Sequence, residues 1–523
     1  MLVNKSVIFF CDNLKASLQR TIATQTKLDG FFLMLEQYFS QFRHGIIGID
    51  ASIEAPDGSM KSIVYADWTA SGRSYLPIEK RIQEEIMPYV ANTHTEASAT
   101  GMAMTQAYKG SQKLIKEHVN ASSTDVILTT DSGMTGVVNK FQRILGFRSH
   151  APQQLLSNAE RPVVFVTHME HHSNHTSWLE TIATVEVIPP DKDGFVDLKA
   201  LTALLDEYKE RLMKVASVTA CSNVTGIAPP IHQIAKLMHE AGGYCFVDYA
   251  CSAPYVDIDM HPQEEGAHLD AVLFSPHKFL GGPGSCGVLV FNSALYHNEV
   301  PDHPGGDTVE WTNPWGGHKY FENIEVREDG GTPAFLQTIK AAMCISLKNE
   351  MGVENIQKRE EHLKDLFFDG ISNIPNLLIL ESNRQDRLAI FSFCIAELNY
   401  NLGVRMLNDR FGIQCRGGCS CAGTYGHHLF GIDQAQSRKI TDMIDIGDLS
   451  QKPGWIRISL HPTMTDKEIL FIVESVNLLA EYHQQWSKDY ELNLESGQYQ
   501  FILDSPTSEL KNRIKKQLTA KFI

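Results

Sequence analysis

The stretch "FSPHKFLGGPGSCGVLVF", residues 274–291, decides the fold, and it holds Gly282, Gly284 and Gly287 in the spacing of a dinucleotide-binding fingerprint. That fingerprint requires a strand before the glycines and a helix after them, because the helix N-terminus binds the phosphates. Here the order is reversed, since the "VLVF" that follows the glycines has the length and β-branching of a strand. The pattern argues against a nicotinamide enzyme and leaves Lys278 as the residue to explain.

Short apolar runs alternate with helix-like segments on the N-terminal side of this stretch, back to about Tyr65. The runs "VVFVTH", "VASVTAC", "YCFVDYA" and "AVLFS" have the length and composition of buried strands. Between them, "LKALTALLDEYKERL" and "IHQIAKLMHEAGG" have the helical spacing of apolar residues. The alternation predicts an α/β domain in which helices cover a mostly parallel central sheet.

The pattern changes after the central block, and we divide the chain into four segments. The run "GGTPAFLQTIKAAMCISLKNE" predicts a long helix, and "LAIFSFCI", "WIRISL" and "KEILFIVESVNLLAEYHQQW" predict a smaller α+β domain. We expect a partly helical N-terminal extension over residues 1–60, which ends near the break "EAPDGS". The large domain then covers residues 61–335, the small C-terminal domain residues 336–490, and a C-terminal tail residues 491–523.

Composition and charge narrow the class of protein. The 523 residues suffice for two domains plus extra segments, and hydrophobic and charged fractions of 43% and 21% are typical of soluble globular proteins. The formal net charge of -16 would repel nucleic acids and anionic membrane surfaces. No apolar run approaches the ~18 residues of a membrane span. Ten scattered cysteines indicate reduced thiols, and the N-terminus lacks the features of a secretory signal, so we predict a cytoplasmic protein.

An acid and a lysine follow two successive predicted strands. "GYCFVDYACSAP" is an apolar strand that ends at Asp248, and "AVLFSPHKF" is the next such strand, with Lys278 beyond its end. Functional groups collect at the carboxyl ends of parallel strands, and a buried acid needs a cation. A pyridoxal phosphate (PLP) site requires this pair, because the lysine forms a Schiff base with the aldehyde and the acid keeps the ring nitrogen protonated. A lysine that merely extends into solvent is the alternative.

The block "VDYACSAPYVDID…LDAVLFSPHKFLGGPGSCGVLVF" resembles the central block of class V, fold-type I PLP enzymes, most closely the cysteine desulfurase and selenocysteine lyase branch. The similarity runs from "YADWTASG" at residue 65 to "WIRISLHPTMT" at residue 455 and leaves both ends of the chain uncovered. It implies the α/β fold of a fold-type I PLP-dependent transferase, with PLP carried by Lys278 and Asp248 paired with the ring nitrogen. It also implies a homodimer with shared active sites and a small amino acid as substrate.

The resemblance assigns further residues to the phosphate of PLP. "TTDSGMTGVVNK" places Gly133 before a helix-like run, whose free backbone N–H groups could bind an anion, and a simple turn with a helix cap is the alternative. In the family this segment is the phosphate cup. "EDGGTP" resembles the segment that reaches the phosphate from the other subunit. The implied phosphate contacts are Met134, through its backbone N–H alone, Thr135, Ser275, His277 and, from the other subunit, Thr332.

The histidine-rich segment "THMEHHSNHTSW" permits two interpretations. His171, His172 and His175 have an i, i+4 spacing that zinc ligands could use, although no further ligand is placed by a recognisable motif. By the resemblance, His171 stacks on the pyridine ring and the site needs no metal. "CSNVTG" resembles the loop that puts Asn223 near the phenolic oxygen of the ring, whereas the usual glutamine beside that oxygen is Cys251 here.

Three cysteines lie in "IQCRGGCSCAGTYGHH", residues 413–428. Their spacing lacks the separated second pair of a structural zinc site, and a thiol beside an arginine is a plausible nucleophile because the cation lowers its pKa. The desulfurase branch carries a mobile loop with the pattern R-x-G-x-x-C-A, which implies Arg416 at the arginine and Cys421 as the sulfur-accepting cysteine. Cys419 is an extra thiol suited to a resolving or relay role, and we expect Cys415 to be buried and structural.

Arg457 lies in the strand-like "PGWIRISL", flanked by apolar residues. A buried arginine needs a partner, and its planar fork suits a carboxylate, so an internal ion pair is one interpretation. By the resemblance, Arg457 instead binds the α-carboxylate of the substrate, and Arg416 lies on the same substrate side.

The sequence therefore predicts a PLP-dependent lyase of the cysteine desulfurase or selenocysteine lyase type. Lys278 would remove the α-proton of the amino acid, and Cys421 would take the sulfur as a persulfide and leave alanine. A sulfur-acceptor protein would be a further partner. A class V aminotransferase would use Lys278, Asp248 and Arg457 without Cys421. A metal-binding regulatory protein and a catalytically silent dimer that holds PLP are the alternatives from other classes.

Overall fold

The computed structural model describes residues 30–521, except residues 31, 149–156, 450–451, 494–496 and 503–506. Its strands, in chain order, are β1 (Ser52–Glu54), β2 (Met60–Ser62), β3 (Val64–Tyr65), β4 (Asp125–Thr130), β5 (Val163–Thr167), β6 (Thr184–Ile188), β7 (Lys214–Thr219), β8 (Tyr244–Asp248), β9 (Ala271–Phe274), β10 (Gly287–Asn292), β11 (Val309–Thr312), β12 (His318–Tyr320), β13 (Leu377–Ile379), β14 (Ile390–Ile395), β15 (Ile413–Gln414), β16 (Arg416–Gly418), β17 (Trp455–Ser459), β18 (Tyr490–Asn493) and β19 (Gln498–Phe501).

An N-terminal helix covers residues 32–43. None of the helices in the described ranges combines the length and the hydrophobicity that a membrane crossing needs. The helices that follow are α1 (Leu76–Arg81), α2 (Ala99–His118), α3 (Gly133–Ile144), α4 (His172–Leu179), α5 (Leu198–Glu207), α6 (Ile231–Glu240), α7 (Ile324–Arg327), α8 (Phe335–Met351), α9 (Val353–Ile371), α10 (Tyr400–Phe411), α11 (Gly423–Leu429), α12 (Gln434–Asp445), α13 (Asp466–Trp486) and α14 (Thr507–Thr519).

Seven strands form the central sheet, in the order β4-β10-β9-β8-β7-β5-β6. β10 runs antiparallel to both of its neighbours, and the other pairings are parallel. β5, β7, β8 and β9 are buried along almost their whole length, as expected for parallel strands with both faces covered. The predicted α/β fold with a mostly parallel sheet is confirmed.

The parallel strands place their carboxyl ends along one edge of the sheet. The register of β7, β8 and β9 sets Thr219, Asp248 and Leu273 side by side at that edge. α3 begins at Gly133, just beyond β4, and a 3₁₀ turn over Pro276–Lys278 follows β9. Ligands of open α/β sheets bind at such an edge, so these loops are where a site is expected.

The glycine-rich stretch after Lys278 serves close packing. β10 begins at Gly287, so a strand follows the glycines, as predicted. A Cβ at position 287 would collide with the backbone oxygen of Gly133, and Gly284 has φ of +90°. Only glycine permits both the close approach of β10 to the start of α3 and the left-handed backbone before it.

The C-terminal part forms the predicted smaller α+β domain. Its antiparallel sheet has the order β13-β14-β17-β16, and α9 packs against α13 beside it. The helix predicted from "KEILFIVESVNLLAEYHQQW" is α13, which a capping box at Thr465 and Glu468 begins.

The N-terminal segment packs on this small domain. β3 pairs in parallel with β15, and Arg43 forms an ion pair with Glu468 at 2.8 Å. The break "EAPDGS" lies in the turn between β1 and β2, a hairpin that the sequence analysis did not predict. The hairpin of β18 and β19 in the C-terminal tail was not predicted either. The division into four segments stays a prediction.

Candidate active site

A cavity of about 480 Å³ opens at the carboxyl edge of the central sheet, where the small domain meets it. Its volume is that of a small-molecule site. Strand-end loops of the large domain supply one side, and the cysteine loop and β17 of the small domain supply the other. The predicted site residues that line it are Met134, Thr135, His171, Asn223, Asp248, Ser275, His277, Lys278, Arg416, Cys421 and Arg457.

Lys278 and Asp248 both line this cavity and form no ion pair with each other within the described residues. The Asp248 carboxylate accepts a hydrogen bond from the backbone N–H of Ala250 at 2.8 Å. Burial raises the pKa of Asp248 to about 6 and lowers the pKa of Lys278 from its usual value. The charged form of each group is therefore penalised, a property that is common at functional sites.

His171 begins α4 and is held as a neutral imidazole. Burial, together with the neighbouring Lys278, lowers the pKa of His171 to about 3. Its Nδ1 accepts a hydrogen bond from the backbone N–H of Ser173 at 3.1 Å. The helix start thus fixes the orientation of the ring, and its stacking role stays a prediction.

Glu170 is a buried residue of the site region that the sequence analysis missed. Its carboxylate accepts hydrogen bonds from the Thr167 hydroxyl at 2.7 Å, the Asn174 side chain at 2.7 Å and the backbone N–H of Thr219 at 2.9 Å. Burial raises the pKa of Glu170 to about 7. Glu170 ties the loop after β5 to the end of β7 and so positions His171, the next residue.

The predicted phosphate cup lies at the N-terminus of α3. Gly133 has φ of +62°, and the backbone N–H of Met134 donates to the Ser275 hydroxyl at 2.8 Å. Thr135 Oγ1 lies 2.7 Å from the Ser173 hydroxyl. Helix N-termini attract anions because their first N–H groups lack helical partners. Two predicted phosphate contacts, Met134 and Ser275, therefore bond to each other here, and their role toward phosphate stays a prediction.

Asp67 holds both arginines of the site, and the sequence analysis did not assign it. Arg416 and Arg457 lie directly opposite each other on β16 and β17, where two like charges would repel. Asp67 forms ion pairs with both, at 3.2 Å to Arg416 and 2.8 Å to Arg457. Arg457 also donates to the backbone oxygen of Asn223 at 3.0 Å. The internal ion pair that the sequence left open for Arg457 is thus present.

Two cysteines meet inside the cavity. Cys251 stands where the family has a glutamine, and Cys221, which the sequence analysis did not single out, lines the cavity beside it. A hydrogen bond from the Cys221 thiol lowers the pKa of Cys251, and the same bond with burial raises the pKa of Cys221. Cys251 is therefore the more acidic thiol of this pair.

The cysteine loop is bent and anchored from two sides. Ser420 and Cys421 have left-handed φ angles of +51° and +58°. The Asn223 side chain donates to the backbone oxygen of Ser420 at 2.7 Å, and the backbone N–H of His172 donates to the oxygen of Cys421 at 2.7 Å. The backbone N–H of Gly423 donates to His172 Nε2 at 2.9 Å. Cys421 is exposed and lines the same cavity as Lys278.

The histidines after Glu170 anchor this loop. His175 Nδ1 lies 3.0 Å from the Thr424 hydroxyl, as His172 binds Gly423, and the described residues do not bring His171, His172 and His175 together as a metal set. Burial raises the pKa of Cys415, as expected for a structural thiol.

A different group, His239, His268 and Asp270, has ligand atoms close enough to share a metal ion. The rings of His239 and His268, however, are stacked at 3.9 Å with an angle of 10° between their planes. A metal ion lies in the plane of each imidazole that binds it, and two parallel planes share no such point. This arrangement is a stacked pair of histidines, of which His239 hydrogen-bonds Asp270 at 2.9 Å, rather than a metal site.

Thr332 is the predicted site residue that lies outside the cavity of Lys278. It lines a neighbouring cavity of about 800 Å³, together with Ser132 and Thr135, which line both cavities. Thr332 therefore lies near the predicted phosphate cup but does not line the cavity of Lys278.

The residues of the cavity could hold PLP. Asn223 Oδ1 and Arg457 Nε are buried and have no hydrogen-bond partner within the described part of the chain. A buried polar atom without a partner is costly, and polar groups of a bound molecule remove that cost. Lys278 matches the aldehyde, Asp248 the ring nitrogen, the N-terminus of α3 the phosphate, and the open Arg457 Nε a substrate carboxylate. The open Asn223 Oδ1 can accept a hydrogen bond from a donor of the bound molecule.

A protein-family comparison matches residues 64–471 to the family described as Aminotransferase class-V. Among curated proteins, the "Probable cysteine desulfurase" of Halalkalibacterium halodurans is 28% identical over 364 residues, which cover 69% of this chain and 84% of that protein. A protein with the same name from Staphylococcus epidermidis is 27% identical over 366 residues, with the same shares covered.

Solved structures show the same fold. The apo cysteine desulfurase of Thermococcus onnurineus superposes with a TM-score of 0.65 at 21% identity, covering 80% of this chain and 95% of that one. The cysteine desulfurase CsdA of Escherichia coli gives a TM-score of 0.64 at 21% identity, covering 85% and 98%. The predicted fold-type I architecture agrees with both likenesses.

Proposed function

Because the chain belongs to the aminotransferase class-V family, we propose that it is a PLP-dependent cysteine desulfurase or selenocysteine lyase, which releases sulfur or selenium from an amino acid and leaves alanine. The observation that carries the proposal is that Cys421, Lys278 and Arg457 line one cavity. Amino transfer needs the lysine and the arginine, whereas the exposed thiol has a role in sulfur transfer alone. Conversion of cysteine to alanine by the purified protein is the test.

Lys278 is the proton carrier of the proposed reaction. Bound PLP supplies a conjugated, electron-accepting ring that stabilises negative charge at the α-carbon of the substrate. Burial lowers the pKa of Lys278, which favours the uncharged Nζ that would take the α-proton. Asp248 would hold the ring nitrogen of PLP with its buried carboxylate, and neutral His171 would pack on the ring.

Arg457 and Arg416 would orient the substrate through its α-carboxylate, which would take over bonds that Asp67 makes to them. Cys421 Sγ then attacks the substrate sulfur. A sulfur–sulfur bond forms, the bond between the β-carbon and sulfur breaks, and its electron pair stays with the β-carbon, which takes a proton. Lys278 returns a proton to the α-carbon, which completes alanine. The products are alanine and a persulfide on Cys421.

A reducing compartment and a homodimer complete the proposal. The nine cysteines among the described residues are free thiols, which suits a cytoplasmic enzyme. Two subunits would share active sites, with Thr332 reaching the phosphate in the partner, and a sulfur-acceptor protein would be a further partner.

Asp248→Asn is expected to keep bound PLP and its visible absorption band while turnover falls by about 10²-fold. An amide can still accept the hydrogen bond from Ala250, but it cannot balance a protonated ring nitrogen. The measurement is the rate of alanine formation beside the absorption spectrum, with the exposed Asp206→Asn as the control. An unchanged rate would remove Asp248 from the mechanism.

Thr332→Ala is expected to weaken the affinity for PLP about tenfold, since one hydrogen bond to a charged group is lost, while the dimer persists. Equilibrium dialysis of PLP and sedimentation velocity measure the two properties, and Thr202→Ala on α5 is the control. A monomer that retains all of its PLP would contradict the shared-site arrangement.

A further inference from the structure

A second cavity, which we call the outer cavity, lies on the far side of the cysteine loop. It has a volume of about 820 Å³ and is lined by Tyr400 on α10, Lys452, Tyr499 on β19 and the loop itself. The side chain of Asn401 donates to the backbone oxygen of Gly497, which holds the β18–β19 hairpin against α10. This hairpin lies beyond residue 471, where the family match ends.

The outer cavity and the active-site cavity meet at the cysteine loop. Arg416, Ser420 and Cys421 line both cavities, whereas Cys419 lines the outer cavity alone. Burial, with a contribution from the neighbouring Cys419 thiol, raises the pKa of Tyr400, which places Cys419 beside that ring. One thiol of the C-x-C pair thus reaches the substrate side, and the other lies only on the outer side.

The backbone brings the two thiols within reach of each other. Two residues of extended chain span at most about 7 Å, and the left-handed φ of Ser420 bends the chain between the cysteines. The hydrogen bonds from Asn223 and Trp455 to Ser420 fix that bend. Cys421 is therefore held with one neighbouring thiol on the side away from the substrate.

We propose that Cys419 takes the sulfur from Cys421 and passes it to a small, carboxylate-bearing thiol bound in the outer cavity. The inference rests on the proposed desulfurase function, since that reaction loads the sulfur on Cys421.

The transfer is a thiol exchange without net oxidation. The Cys419 thiolate attacks the terminal sulfur of the Cys421 persulfide, a bond from Cys419 to that sulfur forms, and its bond to Cys421 breaks. Cys421 leaves as a thiolate and takes the proton that Cys419 released. The acceptor thiolate then attacks the same sulfur, becomes a persulfide and frees Cys419.

The outer cavity selects the class of acceptor. Its volume falls in the range of small-molecule sites. Apolar side chains, two tyrosines and amide groups line it beside the cysteine loop, which would carry the sulfur. Arg416 and Lys452 supply two positive charges to the lining against the one carboxylate of Asp448, and Lys452 lies close enough to His172 to help lower its pKa. A flexible thiol with amide groups and a carboxylate matches this lining.

Single-turnover loading with cysteine, followed by alkylation and peptide mass spectrometry, tests the relay. In the wild-type protein we expect persulfide on both Cys421 and Cys419. In Cys419→Ser we expect one alanine per subunit and persulfide on Cys421 alone, with sulfur transfer to glutathione slowed at least about tenfold. Cys394→Ser, a thiol of β14 that lines neither cavity, is the matched control and should transfer sulfur like the wild type.

The outcomes separate this inference from the proposed function. The relay is overturned if the wild type forms alanine with persulfide on Cys421 alone and Cys419→Ser transfers sulfur at the wild-type rate. That result would leave the proposed desulfurase function unaffected. Absence of alanine from the wild type overturns the desulfurase and the relay with it.

Glutathione and the uncharged 2-mercaptoethanol test the acceptor class. We expect Lys452→Met to slow transfer to glutathione at least about fivefold and to leave transfer to 2-mercaptoethanol within about twofold, because a charged hydrogen bond is lost only for the former. If the wild type transfers sulfur to both thiols equally, or Lys452→Met affects both alike, the assignment of a small carboxylate-bearing acceptor is overturned and a protein acceptor is favoured.

Discussion

Cys421→Ser is expected to reduce alanine and sulfide production from cysteine by at least about 10²-fold, while PLP still binds and the protein keeps its colour. A serine hydroxyl ionises far less readily than a thiol, and its oxygen cannot form a persulfide. The loop should keep its shape, because its anchors are backbone atoms of residues 420–423. Alanine and sulfide are measured over time, with the absorption spectrum recorded on the same samples.

Selenocysteine provides a second substrate for this variant. Selenium leaves carbon more readily than sulfur does, so alanine formation from selenocysteine should be less affected by Cys421→Ser. Cys419→Ser should slow the first formation of alanine less than Cys421→Ser does, because Cys419 does not line the active-site cavity. If neither variant changes alanine formation, while an amino acid and a keto acid exchange amino groups at full rate, the chain is an aminotransferase.

Lys278→Ala is expected to abolish covalent attachment of PLP and to lower turnover by about 10²- to 10⁴-fold or more. No other described lysine lines the active-site cavity, so nothing replaces Nζ as the proton acceptor. The protein should still fold, since a residue on a strand-end loop contributes little to the core. Borohydride reduction followed by peptide mapping locates the attachment in the wild type and its loss in the variant.

Lys348→Ala separates this chemistry from the general effect of removing a buried lysine. Lys348 is buried in α8 and donates to the backbone oxygen of Ala253 at 2.7 Å, and burial lowers its pKa to about 7. We expect this control to lose thermal stability and to keep the PLP attachment at residue 278. Loss of solubility in Lys278→Ala, with Lys348→Ala soluble, would identify Lys278 as a structural residue.

Five strands of the central sheet, β5, β7, β8, β9 and β10, could be predicted because each is a short, continuous apolar run, whereas β4 and β6 were not predicted. The same reasoning placed Asp248 and Lys278 at one edge, since parallel strands end together. The hairpins β1–β2 and β18–β19 escaped prediction because their strands have only three or four residues each, most of them exposed or half-buried, and no strong apolar signal. The outer cavity, which one of these hairpins closes, was therefore also missed.

The partners of the predicted residues were harder to find than the residues themselves. Asp67 stands in "YADWTASG", a segment that carried the resemblance, yet no pattern in the sequence links it to Arg416 and Arg457. The link comes from the parallel bridge between Asp67 and Ser459, a contact that only tertiary packing makes. Cys221 and Glu170 were missed for the same reason. Each follows the end of a strand, and its contacts include residues at other strand ends, which the sequence alone does not bring together.

The pairing of Asp67 with two distant arginines has a consequence for how the enzyme matures. Asp67 is separated by 349 residues from Arg416 and by 390 from Arg457, so this end of the pocket depends on contacts of very high sequence separation. Such contacts form late, because closing a long loop costs entropy before the contact is made. At ribosomal speeds, roughly 20 to 70 seconds pass between the synthesis of Asp67 and that of Arg416. The nascent chain can therefore complete its central sheet while this end of the pocket is still unassembled.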